Sequence, residues 1–273
     1  MVINMKLVVI APRGKMGSAI VRVAAAREGL ELAAGVGVPG SDYIGRDLGE
    51  VALVGRALGV PVVENLETVI DSCDAVVDFS VRKMAPVVLE SALRHRKALV
   101  CGTTGLSEEE NSLFLEASKQ IPIVRAANTS RMVYLMNRFL EMVSGELGDQ
   151  VDVEILDMHD RWKLDAPSGT ALELGRTIAK AKGVALENVA EFGRRGHGAR
   201  SSSSIGFHSL RAGDIPSSHI VFLGGMGERL EIAQHSYNMD CFAHGACDCA
   251  AFLAGKPAGL YSVENVFGST QEE

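Results

Sequence analysis

Long apolar runs are missing from this chain of 273 residues. No stretch of about 18 uncharged apolar residues occurs, so no segment is expected to span a membrane. The N-terminal residues carry neither an apolar h-region nor a small-residue cleavage site, and a secretory leader is not expected. Basic charge is not in excess either. Lys and Arg number 27 against 34 Asp and Glu, a formal net charge of −7, which argues against nucleic acid as a partner. Cysteine is sparse and odd in number: Cys73, Cys101, Cys241, Cys247 and Cys249. The C-x-C spacing of the last two is not that of a zinc site. Reduced, mostly buried thiols in a cytoplasmic protein are expected, and no metal site. No internal repeat is present. What is there is ordinary for a soluble globular protein: 47% hydrophobic and 22% charged residues. The length suits one large domain or two modest ones.

The first half alternates strand and helix signals. Strands are predicted over Lys6–Ile10, Glu31–Val36, Ala75–Phe79, Ala98–Cys101 and Ile121–Arg125. Helices are predicted over Gly17–Arg27, Thr68–Asp71, Pro86–Arg94 and Glu108–Gln120. Such alternation implies a parallel, doubly wound sheet whose ligands bind beyond the carboxyl ends of the strands. The turns there are Ala11–Gly17, Ser80–Lys83, Gly102–Gly105 and Ala126–Ser130. The second half reads differently. A long helix (Arg131–Leu147), a strand (Val151–Met158) and a helix (Ala171–Lys182) precede strand candidates at Ile205–Arg211, His219–Leu223 and Glu228–Gln234. Runs of strands with few helices suggest an antiparallel or mixed sheet. Arg194–Ser204, rich in Gly, Arg and Ser, is expected to be mobile. A boundary and hinge are expected near Asn128. A helix over Ala243–Leu253 is expected to return to the first domain.

Ala11-Pro12-Arg13-Gly14-Lys15-Met16-Gly17 follows the first strand and opens a helix, the place for a dinucleotide pyrophosphate. Ala11 stands in the first position of the glycine pattern. Neither Gly37 nor Val38, at the end of the second strand, is an acid for a ribose 2′-hydroxyl or an arginine for a 2′-phosphate. Arg13 and Lys15 could bind that phosphate, which favours NADPH over NADH. Gly102-Thr103-Thr104-Gly105 is a second backbone-rich turn at the same edge.

The segment from Asp157 to Leu172 gathers a proton donor, a cation and an anion-binding helix start. Pro167 disfavours helix at Ala166, and Ser168 is a good N-cap. Gly169, Thr170 and Ala171 would present backbone N–H groups to a carboxylate or phosphate, and Gly169 allows close approach. His159 can exchange a proton near neutral pH, and Lys163 lies four residues on. Together they suggest a site that holds a small acidic substrate and protonates it. A capped surface helix after a polar loop is the plainer alternative.

These pieces together resemble the dihydrodipicolinate (4-hydroxy-tetrahydrodipicolinate) reductase family of lysine biosynthesis. The resemblance rests on Pro12–Gly17, Asp78-Phe79-Ser80, Gly102–Gly105, Lys163–Leu172 (K-L-D-A-P-S-G-T-A-L), Ile205-Gly206-Phe207, Arg211-Ala212-Gly213-Asp214 and Gly227–Glu231. It implies a Rossmann-like α/β dinucleotide-binding domain (residues 1–127 and 241–273). It also implies an α+β substrate domain (128–240) whose open mixed sheet builds a homotetramer. His159 would be the acid and Lys163 its assistant; Asp160, Ser168, Gly169 and Thr170 would meet the substrate. Ala11, Pro12, Arg13, Gly14, Lys15, Met16, Phe79, Gly102, Thr103, Thr104, Ala126, Ala127, Asn128 and Thr129 would meet NADPH or NADH. The reaction implied is hydride transfer to a cyclic unsaturated imine followed by protonation, with domain closure excluding water.

The chain also departs from the family pattern. Asp160 replaces the second member of a His-His pair. Thr129, Arg131 and Met132 replace an aromatic, an apolar residue and a glycine, and Ala11 replaces a glycine. Either Arg131 neutralises Asp160 and the usual substrate is kept, or Asp160 selects a different one. Three readings follow: a reductase of the usual substrate, a paralogue reducing another imine or carbonyl, and a nucleotide sensor without catalysis. Retention of His159 and Lys163 counts against the sensor.

Overall fold

The computed structural model describes residues 4–268. In chain order the first part contains β1 (Met5–Ile10), α1 (Lys15–Ala25), β2 (Leu30–Val36), α2 (Leu48–Val51), β3 (Val62–Val63), β4 (Ala75–Asp78), α3 (Ala85–Arg94), β5 (Ala98–Cys101), α4 (Glu108–Ala117) and β6 (Pro122–Arg125). Then come α5 (Arg131–Leu147), β7 (Asp152–His159), α6 (Gly169–Ala181), α7 (Leu186–Val189), β8 (Ala190–Phe192), β9 (Ile205–Arg211), β10 (Ser217–Gly224) and β11 (Arg229–Ser236). The chain closes with α8 (Asp240–Phe252), β12 (Gly259–Tyr261) and α9 (Val263–Phe267). It divides into two compact units, Met1–Arg131 with Met239–Glu273, and Met132–Asn238. No helix among the described residues is long and apolar enough to cross a membrane.

The first unit is a seven-stranded parallel sheet in the order β12-β6-β5-β4-β1-β2-β3. Its central strands explain why. AVVD of β4 and ALVC of β5 are buried at every position, as parallel strands covered on both faces must be. One face packs α1 and α8 through Ala19, Ile20, Val23, Ala243, Ala246 and Ala250. The other packs α3 and α4 through Val88, Leu89, Phe114 and Ala117. A capping box of Ser107 and Glu110 starts α4. The strand order reverses between β1 and β4, so the crevice at their carboxyl ends is the expected ligand site of a doubly wound sheet. The helix expected at Thr68–Asp71 is two separate 3-10 turns, Leu66–Thr68 and Ile70–Ser72. The two-residue β3 and three-residue β12 carried too little periodicity to be read from sequence. Cys73, Cys101, Cys247 and Cys249 are buried free thiols, and burial pushes those of Cys247 and Cys249 up to about 12.

The second unit is a five-stranded mixed sheet, β11-β10-β7-β9-β8. β10 is antiparallel to β7 and β11, and β9 is parallel to β7 and β8. One face packs α5 and α6 over Met136, Leu140, Ile155, Leu174, Ile178, Phe207 and Val221. Gly175 lets α6 approach closely, since a Cβ there would meet the Phe207 ring. The segment 194–204, rich in Gly, Arg and Ser, reaches back to the sheet through its arginines. Arg194 and Arg200 both pair with Glu154 on β7, and Arg200 also pairs with Asp152. Its glycines and serines signalled an irregular path; its arginines anchor that path.

Candidate active site

In the first unit, the Ala11–Gly17 turn, Phe79, Gly102–Thr104 and Ala126–Thr129 follow the carboxyl ends of β1, β4, β5 and β6, four neighbouring strands. The turn is tight. Ala11 adopts a left-handed φ of 54°, a conformation that strains a residue with a Cβ by roughly 1–2 kcal/mol. A Cβ on Gly17 would collide with the Ala11 carbonyl oxygen, so the turn requires glycine at 17. Gly14 is the N-cap of α1 and offers no side chain to its first N–H groups, which leaves the helix start able to receive an anion.

Arg13 behaves differently from the expectation of a waiting cation. Its guanidinium donates to Asp42 at 2.7 Å and lies 5.2 Å over the Tyr43 ring. The Tyr43 hydroxyl in turn accepts from Val38 N at 3.0 Å. Both members of the Arg13–Asp42 pair are exposed, so the pair is weak and a phosphate can compete for Arg13. Lys15 is exposed.

The Phe79 ring occupies the space a side chain at Gly102 would need. Asp78 beneath it is fully buried, and burial raises its carboxyl above the usual range while donors from Ser80 and Thr103 oppose this. Thr129 is buried and its hydroxyl donates to the Phe242 carbonyl at 2.7 Å. Gly245 of α8 is pressed against the Thr129 carbonyl, where no Cβ fits. The side chain that replaces the family's ring is thus used to dock α8. Arg131 is 3.6 Å from Asp248 and stacks on Phe267 at 5.1 Å. These contacts lie within its own unit.

In the second unit the site is built by strand register. Asp157 on β7 stands opposite His219 on β10 and Ser209 on β9, and His159 stands opposite Arg211. These side chains form polar rows where the apolar face of Val153 and Ile155 ends. Asp157 is buried. Its Oδ2 accepts from Ser168 N at 2.8 Å, Arg211 Nη2 at 2.9 Å and Ser209 Oγ at 3.2 Å. Its Oδ1 lies 2.8 Å from His159 Nδ1 and 3.5 Å from His219 Nε2. The imidazoles meet edge to face at 5.4 Å. Burial alone would raise the Asp157 carboxyl. The two histidines, Arg211 and the Ser168 N–H outweigh it and hold the group far below the usual carboxylate range.

Ser168 is the N-cap of α6, its Oγ accepting from Ala171 N at 3.1 Å and lying 3.1 Å from His219 Nε2. Two expectations change here. The Ala171 N–H is satisfied by the cap and is not offered to a ligand. Ser168, expected at the substrate, is 2% exposed and spends its groups inside the network. Gly169 faces open space, since a Cβ there would meet nothing within 4 Å. Lys163 pairs with Asp165 at 2.9 Å. Asp160 Oδ1 accepts from Trp162 N at 2.8 Å, closing the turn after β7.

Asp157, His159 and His219 present three ligand-type atoms within 4.8 Å of one another and could hold a metal ion. Arg211 already supplies the positive charge on that carboxylate, so a divalent ion would enter against a fixed cation. Sequence reasoning missed Asp157, His219, Ser209 and Arg211 as members of the site. Only alternation in β10, which puts His219 in phase with buried Val221 and Leu223, hinted at one of them.

Residues 5–129 match the family model described as dihydrodipicolinate reductase, N-terminus, and residues 132–267 that of dihydrodipicolinate reductase, C-terminus. The chain is 43% identical over 263 residues to the 4-hydroxy-tetrahydrodipicolinate reductase of Pseudomonas fluorescens strain Pf-5, covering 96% of this chain and 98% of that one. It is 40% identical over 264 residues to the enzyme of the same name from Alkalilimnicola ehrlichii, with 96% and 98% covered. Among solved structures it is similar to a dipicolinate-bound dihydrodipicolinate reductase from Paenisporosarcina sp. TG-14, with a TM-score of 0.72, 25% identity and 96% and 98% coverage.

Proposed function

The chain belongs to the dihydrodipicolinate reductase family, and from that premise we propose that it reduces 4-hydroxy-tetrahydrodipicolinate to tetrahydrodipicolinate in lysine and diaminopimelate synthesis. The observation that carries the reading is the buried Asp157–His159 contact beside the open, capped start of α6. Nicotinamide, when bound, supplies the hydride. The residues at the carboxyl ends of β1, β4, β5 and β6 hold the dinucleotide, its pyrophosphate at the start of α1 that no side chain caps. Gly169 and Thr170 take a substrate carboxylate at the positive end of the α6 dipole. His159 donates the proton that completes reduction. Lys163, exchanging Asp165 for substrate, assists by keeping positive charge beside the developing anion. Four copies assemble through the open face of the second sheet.

The direct test is a coupled assay with aspartate semialdehyde, pyruvate and the preceding synthase. Consumption of reduced nucleotide only when all are present supports this substrate. No consumption, with activity on another cyclic imine, makes the chain a diverged paralogue. Asp160 is the residue that favours that second reading. A carboxylate about 4 Å from a substrate carboxylate is unfavourable by about 1 kcal/mol in water. Asp160→His is therefore expected to lower KM about fivefold with kcat unchanged. An unchanged KM would leave Asp160 as a turn residue only.

For the nucleotide, NADPH is expected to bind at least as tightly as NADH. Arg13 exchanges its exposed partner Asp42 for the 2′-phosphate at little loss, and Lys15 adds a second cation. Fluorescence titration of both nucleotides checks this, with Lys15→Ala narrowing the ratio. A clear NADH preference contradicts it.

A further inference from the structure

We infer that Asp157 is a positioning residue for His159, braced by His219 and Ser168, which keeps the neutral His159 ring in the Nδ1–H tautomer and leaves Nε2 as the atom that delivers the proton. The inference rests on the reading of His159 as proton donor and adds the device that sets its chemistry.

Sheet register places the groups. Asp157 lies between β9 and β10 neighbours, with Ser209 on one side and His219 on the other, and His159 follows two residues on along β7. The two carboxylate oxygens then divide their work. Oδ2 is filled by Ser168 N, Arg211 Nη2 and Ser209 Oγ. Oδ1 receives none of these donors; the groups facing it are the imidazole nitrogens at 2.8 Å and 3.5 Å, and neither Oδ1 nor His159 Nδ1 makes an aligned hydrogen bond to any other group among the described residues. A buried carboxylate oxygen needs a donor. An imidazole lone pair facing it at 2.8 Å would repel it, so Nδ1 of His159 carries the proton.

His219 is fixed by the same accounting. It is buried, and its Nδ1 has no hydrogen-bond partner. A buried N–H without an acceptor is more unfavourable than an unused lone pair, so the proton sits on Nε2. That N–H faces Ser168 Oγ at 3.1 Å and Asp157 Oδ1 at 3.5 Å. Ser168 is itself locked as the cap of α6. The brace therefore links the proton donor to the helix start proposed to hold the substrate carboxylate. One element then positions both.

The step balances. In the imidazolium form of His159 the Nε2–H bond breaks and the proton passes to the carbanion of the reduced substrate. The electron pair stays on Nε2, the ring remains neutral with Nδ1–H on Asp157, and water returns a proton to Nε2. If Asp157 could not hold Nδ1–H, the neutral ring would favour the other tautomer and Nε2 would present hydrogen where a lone pair must form.

Nitrogen NMR of isotope-labelled histidine in the intact protein tests this without substrate. His159 is assigned by its disappearance in His159→Gln. The expected result is a neutral His159 in the Nδ1–H form, shifting to Nε2–H in Asp157→Asn. Turnover of Asp157→Asn should fall about 10²-fold, with KM within about threefold, and Asp157→Glu should restore the Nδ1–H form and most of the turnover. An Nε2–H tautomer in the wild type overturns the inference, whether or not the Asp157 variants fold. So does an unchanged tautomer in Asp157→Asn. The two readings separate in the assigning variant: if His159→Gln retains full turnover, the proton-donor role fails alone and the tautomer remains the one that Asp157 sets.

Discussion

Replacing His159 by Gln is expected to lower turnover about 10²-fold or more while nucleotide affinity stays intact. Glutamine keeps much of the volume and a hydrogen-bond donor, but it cannot release and regain a proton near neutral pH. Lost acid catalysis is worth about this factor. Binding of NADPH should survive because every residue proposed to hold it lies in the other compact unit. Steady-state kcat on the true substrate and a fluorescence titration of NADPH measure the two halves separately. Unchanged turnover in the purified, folded variant removes His159 from the mechanism. Loss of both activities together would instead point to a disturbed fold.

Arg211→Ala should have the largest effect on stability. Arg211 reaches Asp157 Oδ2 at 2.9 Å and the carbonyls of Asp157, Asp165 and Leu210 at 3.1, 2.8 and 2.8 Å. It is mostly buried and Asp157 is almost wholly so. Removing one member of such a pair strands the other and costs about 3–5 kcal/mol. Urea unfolding should show the loss, and Arg211→Lys should recover only part of it, because one ammonium cannot span a carboxylate and several carbonyls. The pH dependence has a definite sign. The Asp157 carboxyl is held below its ordinary value of 3.8 in the folded state. Its contribution is therefore fully present above that value and is lost as the pH falls below it toward the folded value. In Arg211→Ala the folded value rises toward 3.8, so that acid loss should be smaller and should be complete at a higher pH. Equal stability of wild type and Arg211→Ala across the acid range would show that Asp157 does not depend on this cation.

Much of the scaffold was legible because it is written locally. Alternating apolar runs and amphipathic segments marked β1, β2, β4, β5 and β6 with their helices, and Ser168 announced the start of α6 by cap chemistry alone. The anion-friendly turn after β1 was visible as a strand–turn–helix. The environment of each site residue was less legible. Arg13 reads as a free cation until Asp42 and Tyr43, from the loop after β2, are seen beside it. Thr129 reads as a lost ring until its hydroxyl is seen on the Phe242 carbonyl. Arg194 and Arg200 read as loop charges until Glu154 is seen to hold both.

By itself the sequence determined the family, the two architectures and the place of His159 and Gly169 at the ends of their elements. Each of these depends on residues a few positions apart, and backbone periodicity carries that information directly. Only the tertiary structure decided that Asp157, His219, Ser209 and Arg211 share one site with His159. They come from three strands whose alignment follows from burial of the whole sheet face, and a slip of one residue would have turned them to the other side.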